Sequence, residues 1–317
     1  MAIGGAEDKV GGRAILSQLV AMAGGERATI ALFPTGSQIP DELDTTYRGI
    51  FERMGAEVHT VHVRERSDAR SPATLRALEG ATAAFFTGGA QGRIVSLLGG
   101  TPLAQAVRRA HRDGMIVAGT SAGASVICQH MIAQGRAGYA PRRSSVTMAP
   151  GLGLTKRLVI DQHFAQRHRI GRLFSAVALN PFLIGVGIDE NTAIVLDAKN
   201  CMRVIGAGTV TVIDGSGLVH TDIHETASQA PAAVLGLAVH VLTNGHGYDA
   251  DRRVVMSKEA DSAHGQAPAL ASAANGSATA VSDTARSTNG GARGRAADQE
   301  RQKPRTAKRG GADKARS

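Results

Sequence analysis

Met115-Ile116-Val117-Ala118-Gly119-Thr120-Ser121-Ala122-Gly123-Ala124-Ser125 is the stretch that decides the fold. Its first four residues are continuously apolar, as expected of a strand buried on both faces of a sheet. That run enters Gly119-x-Ser121-x-Gly123, and the apolar spacing of residues 122–133 then predicts a helix. Strand, Gly-x-Ser-x-Gly and helix together spell a nucleophile elbow. The two glycines permit a sharp, strained turn that presents the Ser121 hydroxyl at the carboxyl end of the sheet. The amides that open the following helix, Ala122 first, would point where an oxyanion forms. In a chain with 39 glycines the bare pattern means little; its context gives it content.

Outward from this stretch, short apolar runs at 28–33, 58–63 and 83–86 alternate with helix-period segments at 10–23, 41–54 and 101–112. Strand–helix alternation predicts an α/β fold, a mostly parallel central sheet flanked by helices. Beyond Pro181 the runs 184–188, 193–196, 203–205 and 209–213 crowd together between turn signals. These read as more antiparallel than parallel. A final apolar run occupies 234–242.

The strand at 83–86 ends in Thr87-Gly88-Gly89-Ala90-Gln91, on the same edge of the sheet as Ser121. The backbone N–H groups of Gly88 and Gly89 are natural companions to that of Ala122 in an oxyanion hole. Among 11 histidines, His163 stands out. It ends the strand-like run 158–160 in Asp161-Gln162-His163-Phe164, where a base for Ser121 would sit. Downstream, Arg169 and Arg172 share a helical face and suggest a carboxylate pocket. A third member is offered by Ile188-Asp189-Glu190-Asn191, but two adjacent acids leave the choice open: one should face inward and the other outward.

The composition fits a cytoplasmic protein with no membrane association. The chain has 317 residues and only two cysteines, Cys128 and Cys201, in no C-x-x-C pair. No apolar run approaches the ~18 residues of a membrane span, and the first residues lack the pattern of a secretory signal. Residues 257–317 carry 11 Lys/Arg against 6 Asp/Glu, so the net charge of +9 is concentrated there. Poor in large apolar residues, this stretch is expected to be a disordered basic tail following a domain over 1–256. Nonspecific polyanion contact is the most it would do, since it has no aromatic to stack on bases. Gly4-Gly5-Ala6-Glu7-Asp8-Lys9 lacks the spacing of a phosphate loop. His220-x-x-x-His224-Glu225 would ligate a metal only on a helix, and it lies in a turn-rich β region. No metal or cofactor is expected.

Taken together, Gly4–Lys9, Phe86–Gln91, Ala118–Ser125, Asp161–Leu173 and Gly187–Ala193 resemble the cyanophycinase family, within the peptidase E group of serine peptidases. The Asp-Gln-His-Phe block with its Arg-x-x-Arg continuation is the most specific part. The order Ser, His, acid also differs from that of α/β-hydrolases, where the acid precedes the histidine. The resemblance implies a class I glutamine amidotransferase-like fold with Ser121, His163 and Glu190 as triad, which selects Glu190 over Asp189. It implies that Gln91, Asp161, Arg169 and Arg172 hold a β-aspartyl-arginine unit. The implied substrate is cyanophycin, a polyaspartate carrying arginine on each side-chain carboxyl, and the implied products are β-Asp-Arg dipeptides. A homodimer is the implied assembly. A dipeptidase for aspartyl or isoaspartyl peptides is the alternative within enzymes. Two departures stand out: Ala90 replaces an aspartate usual in the family, and the first strand shrinks to residues 1–3, so that the sheet either lacks a strand or the start is truncated.

Overall fold

The computed structural model describes residues 1–258. The expected tail therefore lies, but for its first two residues, outside the described residues. Strands β1 (Ala2–Ile3), β2 (Thr29–Phe33), β3 (Glu57–Thr60), β4 (Ala83–Phe86) and β5 (Ile116–Thr120) form the parallel part of a nine-stranded sheet in the order β1-β5-β4-β2-β3. Alternation along β2 and β4 explains why both sheet faces are covered. Ile30, Leu32, Ala83 and Phe85 point to the face packed by helices α1 (Ala14–Met22) and α2 (Pro40–Arg53). Ala31, Phe33, Ala84 and Phe86 point to the other face, against α4 (Gln91–Leu98) and α5 (Pro102–Arg112). A short α3 (Pro72–Arg76) precedes β4.

The sheet does not stop at β1. That two-residue strand pairs parallel with β5 and antiparallel with β10 (Thr192–Leu196), which continues through β11 (Cys201–Gly206) to Gly247–Asp249 and Val254–Met256. The first strand is thus short but present, at the seam between the parallel and antiparallel parts.

Two expectations need correction. The helix drawn over 122–133 is only α6 (Ala122–Val126); the chain then enters β6 (His130–Gly135), paired with β7 (Val146–Pro150). Val126, Met131 and Ile132 are buried here, and a short apolar run of this kind does not by spacing alone separate helix from strand. The helix expected from residue 10 starts at Ala14, because the Asp8 carboxylate accepts from the amides of Val10, Gly11 and Arg13 and holds that segment as a loop.

The strand carrying His163 is also not part of the large sheet. β8 (Leu158–Gln162) pairs parallel with β9 (Ile184–Ile188), which pairs antiparallel with β12 (Val210–Asp214) and so reaches Ala238–Leu242. Helix α7 (Ile170–Leu179) packs Leu173, Ala176 and Val177 against Val159 and Ile213 of this four-stranded sheet. Among the described residues no helix is long and apolar enough to cross a membrane.

Candidate active site

Ser121 occupies the turn between β5 and α6 with φ 52° and ψ −115°, a conformation costly for a residue with a side chain. The flanking glycines make that turn possible. A Cβ on Gly119 would stand 2.3 Å from the Gly123 carbonyl oxygen, and one on Gly123 would stand 2.1 Å from that of Phe86. The hydroxyl of Ser121 lies 2.9 Å from His163 Nε2, and His163 Nδ1 lies 2.6 Å from Glu190 Oε1. Nδ1–H donating to Glu190 leaves Nε2 free to accept from the serine. Asp189 is turned away: its carboxylate accepts from the amides of Ala165 and Thr209 and from the Thr209 hydroxyl. Adjacent acids thus face opposite ways, and the one that meets the imidazole is Glu190.

Three residues from three strand ends are brought together by a single strap. Successive carbonyls of Ile3, Gly4 and Gly5 accept the amides of Ser121 at 3.0 Å, His163 at 2.8 Å and Asn191, next to Glu190, at 2.9 Å. Gly5, at φ 101°, lies so close to the imidazole that a Cβ there would stand 2.4 Å from the ring. His163 itself has a positive φ of 47°. Burial lowers its pKa below the ordinary imidazole value; the Glu190 hydrogen bond opposes that shift, and the Arg167 charge reinforces it. The His163 imidazole is therefore neutral at a more acidic pH than a free histidine would be.

A second support lies under the serine. Thr120 donates its hydroxyl to Glu7 Oε2 at 2.6 Å, and Tyr47 donates to Glu7 Oε1. Lys9 sits 3.3 Å from the same carboxylate and 5.3 Å from the centre of the Tyr47 ring. Burial, then the Glu7 charge, push the Tyr47 phenol far above its usual pKa. This buried cluster holds the residue that precedes Ser121. It was not legible in the sequence, since Glu7 and Thr120 are 113 positions apart.

The remaining candidates divide by depth. Gly88 abuts Ser121, and the neighbouring amides of Thr87 and Ala90 are engaged by the carbonyls of Phe33 and Gly36. The amides of Gly88 and Gly89 have no backbone acceptor among the described residues. Gln91 donates its amide to the carbonyls of Ile132 and Ala133, at 3.1 and 2.9 Å, which anchors its side chain beside β6. Asp161 is fully buried. Both of its oxygens are taken by Arg172, whose Nε donates at 2.6 Å, and Arg169 lies 3.3 Å away. Asp161 and Arg172 are therefore buried and paired with each other. Arg169 reaches forward to the Gln162 side-chain oxygen at 3.0 Å, and that oxygen lies 3.5 Å from Ser121 Oγ. Burial lowers the Arg169 pKa to about 10, with Asp161 opposing the shift. Strand alternation directs Gln162 away from its neighbours Asp161 and His163, so spacing does not single it out, yet its side-chain oxygen is the one that comes near the serine.

Comparison with known proteins bears on this constellation. The pattern described as Peptidase family S51 matches residues 1–204. The chain belongs to peptidase family S51. Membership makes it a serine-type peptidase, a hydrolase. Within the S51 relatives, the chain is 42% identical over 258 residues to a protein from Trichormus variabilis named cyanophycinase, covering 81% of this chain and 87% of that one. It is 41% identical over 251 residues to a cyanophycinase of Geminocystis herdmanii, covering 78% and 92%. Among solved structures it is similar to a peptidase from an acI-B1 actinobacterium, with a TM-score of 0.58, 22% identity and coverage of 78% and 95%. At that identity the likeness speaks for the α/β fold.

Proposed function

We propose that this S51 peptidase is a cyanophycinase, releasing β-Asp-Arg dipeptides from the end of a cyanophycin chain. The observation that carries the reading is the unbroken relay from Ser121 through His163 to Glu190, in a chain similar over four-fifths of its length to proteins named cyanophycinase. Ser121 Oγ attacks the scissile carbonyl carbon while His163 Nε2 takes its proton, and Glu190 holds the ring in the tautomer that permits this. The backbone N–H groups of Gly88, Gly89 and Ala122 receive the oxyanion. The imidazolium then returns its proton to the departing amine, the C–N bond breaks, and an acyl-enzyme forms. Water activated by the same imidazole attacks the ester, and its cleavage restores Ser121.

Arginine and carboxylate recognition suits a substrate that carries both groups. Arg169 and Gln91 line the approach, and Asp161 with Arg172 fixes Arg169 from beneath. The same reading places the protein in the cytoplasm as a homodimer. Support comes from two free cysteines and from the edge strand Ala238–Leu242, whose Val239 and Val241 are exposed.

The test is to incubate the protein with purified cyanophycin and, separately, with Asp-X and isoaspartyl dipeptides, and to identify products by mass. β-Asp-Arg from the polymer is the expected product; cleavage of the dipeptides alone would replace the reading with a dipeptidase. Ser121→Ala should lower turnover by about 10⁶-fold with the fold intact. Undiminished activity in that variant would end the serine mechanism.

A further inference from the structure

The loop between β6 and β7 reads Arg136-Ala137-Gly138-Tyr139-Ala140-Pro141-Arg142-Arg143-Ser144-Ser145, with three arginines and no acid. Arg136, Tyr139, Arg142 and Ser144 of this loop, together with Gln229, line a groove of about 360 Å³. That is within the ~300–1,000 Å³ of small-ligand sites. The guanidiniums of the loop are held by neutral oxygens. Arg136 donates to Gln229 Oε1 at 3.4 Å, Arg142 donates to the Gln229 carbonyl, and Arg143 donates to the His224 carbonyl at 3.1 Å. No carboxylate pairs with Arg136 or Arg142 among the described residues. A guanidinium satisfied only by carbonyl-type acceptors still carries an unbalanced charge, and a carboxylate presented to it would gain two charge-assisted bonds.

The groove also contains an aromatic ring with little to do. Tyr139 is 71% exposed, far more than folding calls for, and is steadied at its rim by His168, whose Nδ1 lies 3.2 Å from the phenol oxygen. An exposed, fixed ring is a platform for a cation. The groove is tied to the candidate active site by the backbone. Gly138 N–H donates to the His168 carbonyl at 2.8 Å, Gly171 N–H donates to the Gly138 carbonyl at 2.9 Å, and Arg172 Nη1 lies 3.4 Å from the Gly135 carbonyl. The loop is thus hung from the segment that carries Arg169 and Arg172.

We propose that this groove is a second substrate subsite, holding an arginyl group of the polymer beyond the two units that flank the scissile bond. Arg136 and Arg142 take its α-carboxylate, and the Tyr139 ring takes its guanidinium. The inference rests on the cyanophycin reading, because only a repeating substrate of that kind offers a carboxylate and a guanidinium together on every unit. Binding energy collected at a distance tightens the hold on the chain without altering the chemical step, so its signature is in KM. A competing account makes Arg136 and Arg142 a structural clamp on Gln229.

Kinetics on a polymer and on a two-unit substrate separate the two. Arg136→Gln with Arg142→Gln should raise KM for cyanophycin about tenfold, the loss of roughly one good charged contact, and leave the two-unit substrate within about twofold. Tyr139→Ala should act in the same direction. Arg143→Gln removes the loop guanidinium that holds the His224 carbonyl and does not line the groove, and it should leave polymer KM unchanged. Equal effects on both substrates, or an Arg143→Gln variant that reproduces the losses of the other two arginines, would overturn the subsite. Failure of the wild type to cleave even the two-unit substrate would sink the cyanophycinase reading instead, so the two failures are distinguishable.

Discussion

Asp161 and Glu190 lie at or just past the ends of neighbouring strands, β8 and β9, and each is bonded to a cationic or basic side chain, yet they live in opposite conditions. The Asp161 side chain is 1% exposed and surrounded by two guanidiniums and an amide; the Glu190 side chain is 36% exposed and bonded to one imidazole. The difference teaches what each carboxylate is for. A buried carboxylate whose oxygens are all occupied is part of the frame, because removing it strands charge in a place water cannot reach. A half-open carboxylate on a histidine is part of the chemistry, because it must answer a charge that comes and goes on the ring.

The largest expected effect tests the chemical side of that contrast. Glu190→Gln should lower kcat by about 10⁴-fold, as expected when a base loses the acid that sets its tautomer. Its urea midpoint should stay close to that of the wild type. An unfolded Glu190→Gln variant, or one with near-normal kcat, would erase the distinction. Next comes Asp161→Asn, which should destabilise the fold by about 3–5 kcal/mol through the uncompensated charges of Arg169 and Arg172. The readout is denaturant unfolding. A stable variant with greatly weakened substrate binding would mean that Asp161 faces the ligand after all. The smallest effect sharpens the picture of the imidazole's surroundings. Arg167→Gln removes a charge that disfavours imidazolium, so the pKa of His163 should rise and the acid limb of kcat/KM should move to higher pH. A limb that stays put or moves down would assign the lowered pKa to burial alone.

The contrast also explains which parts could be read from the chain. Ser121 and His163 follow apolar strands and carry distinctive neighbours, so a strand-end rule finds both. Asp189 and Glu190 defeat such a rule, since spacing cannot say which of two successive side chains turns inward; the hydrogen bonds of Ala165 and Thr209 decide it. The parallel strands were legible because local alternation with helices dictates their pairing. The second sheet was not, because β8, β9 and β12 look like any other apolar runs until their distant partners are known. Ala90 shows a related limit. Its position, where the family usually has an aspartate, is the residue preceding α4, where no side chain caps the helix. An aspartate there would have a structural task to perform whatever it does for a ligand.

The strap of Ile3, Gly4 and Gly5 has a further consequence for motion. Ser121 and His163 follow strands of different sheets, so nothing in the sheet pairing itself fixes the serine against the imidazole. Because consecutive carbonyls of one short segment grip the backbones of Ser121, His163 and the residue after Glu190, a drift of that segment carries all three along. One three-residue segment thus sets the mutual placement of the backbones on whose spacing proton transfer depends.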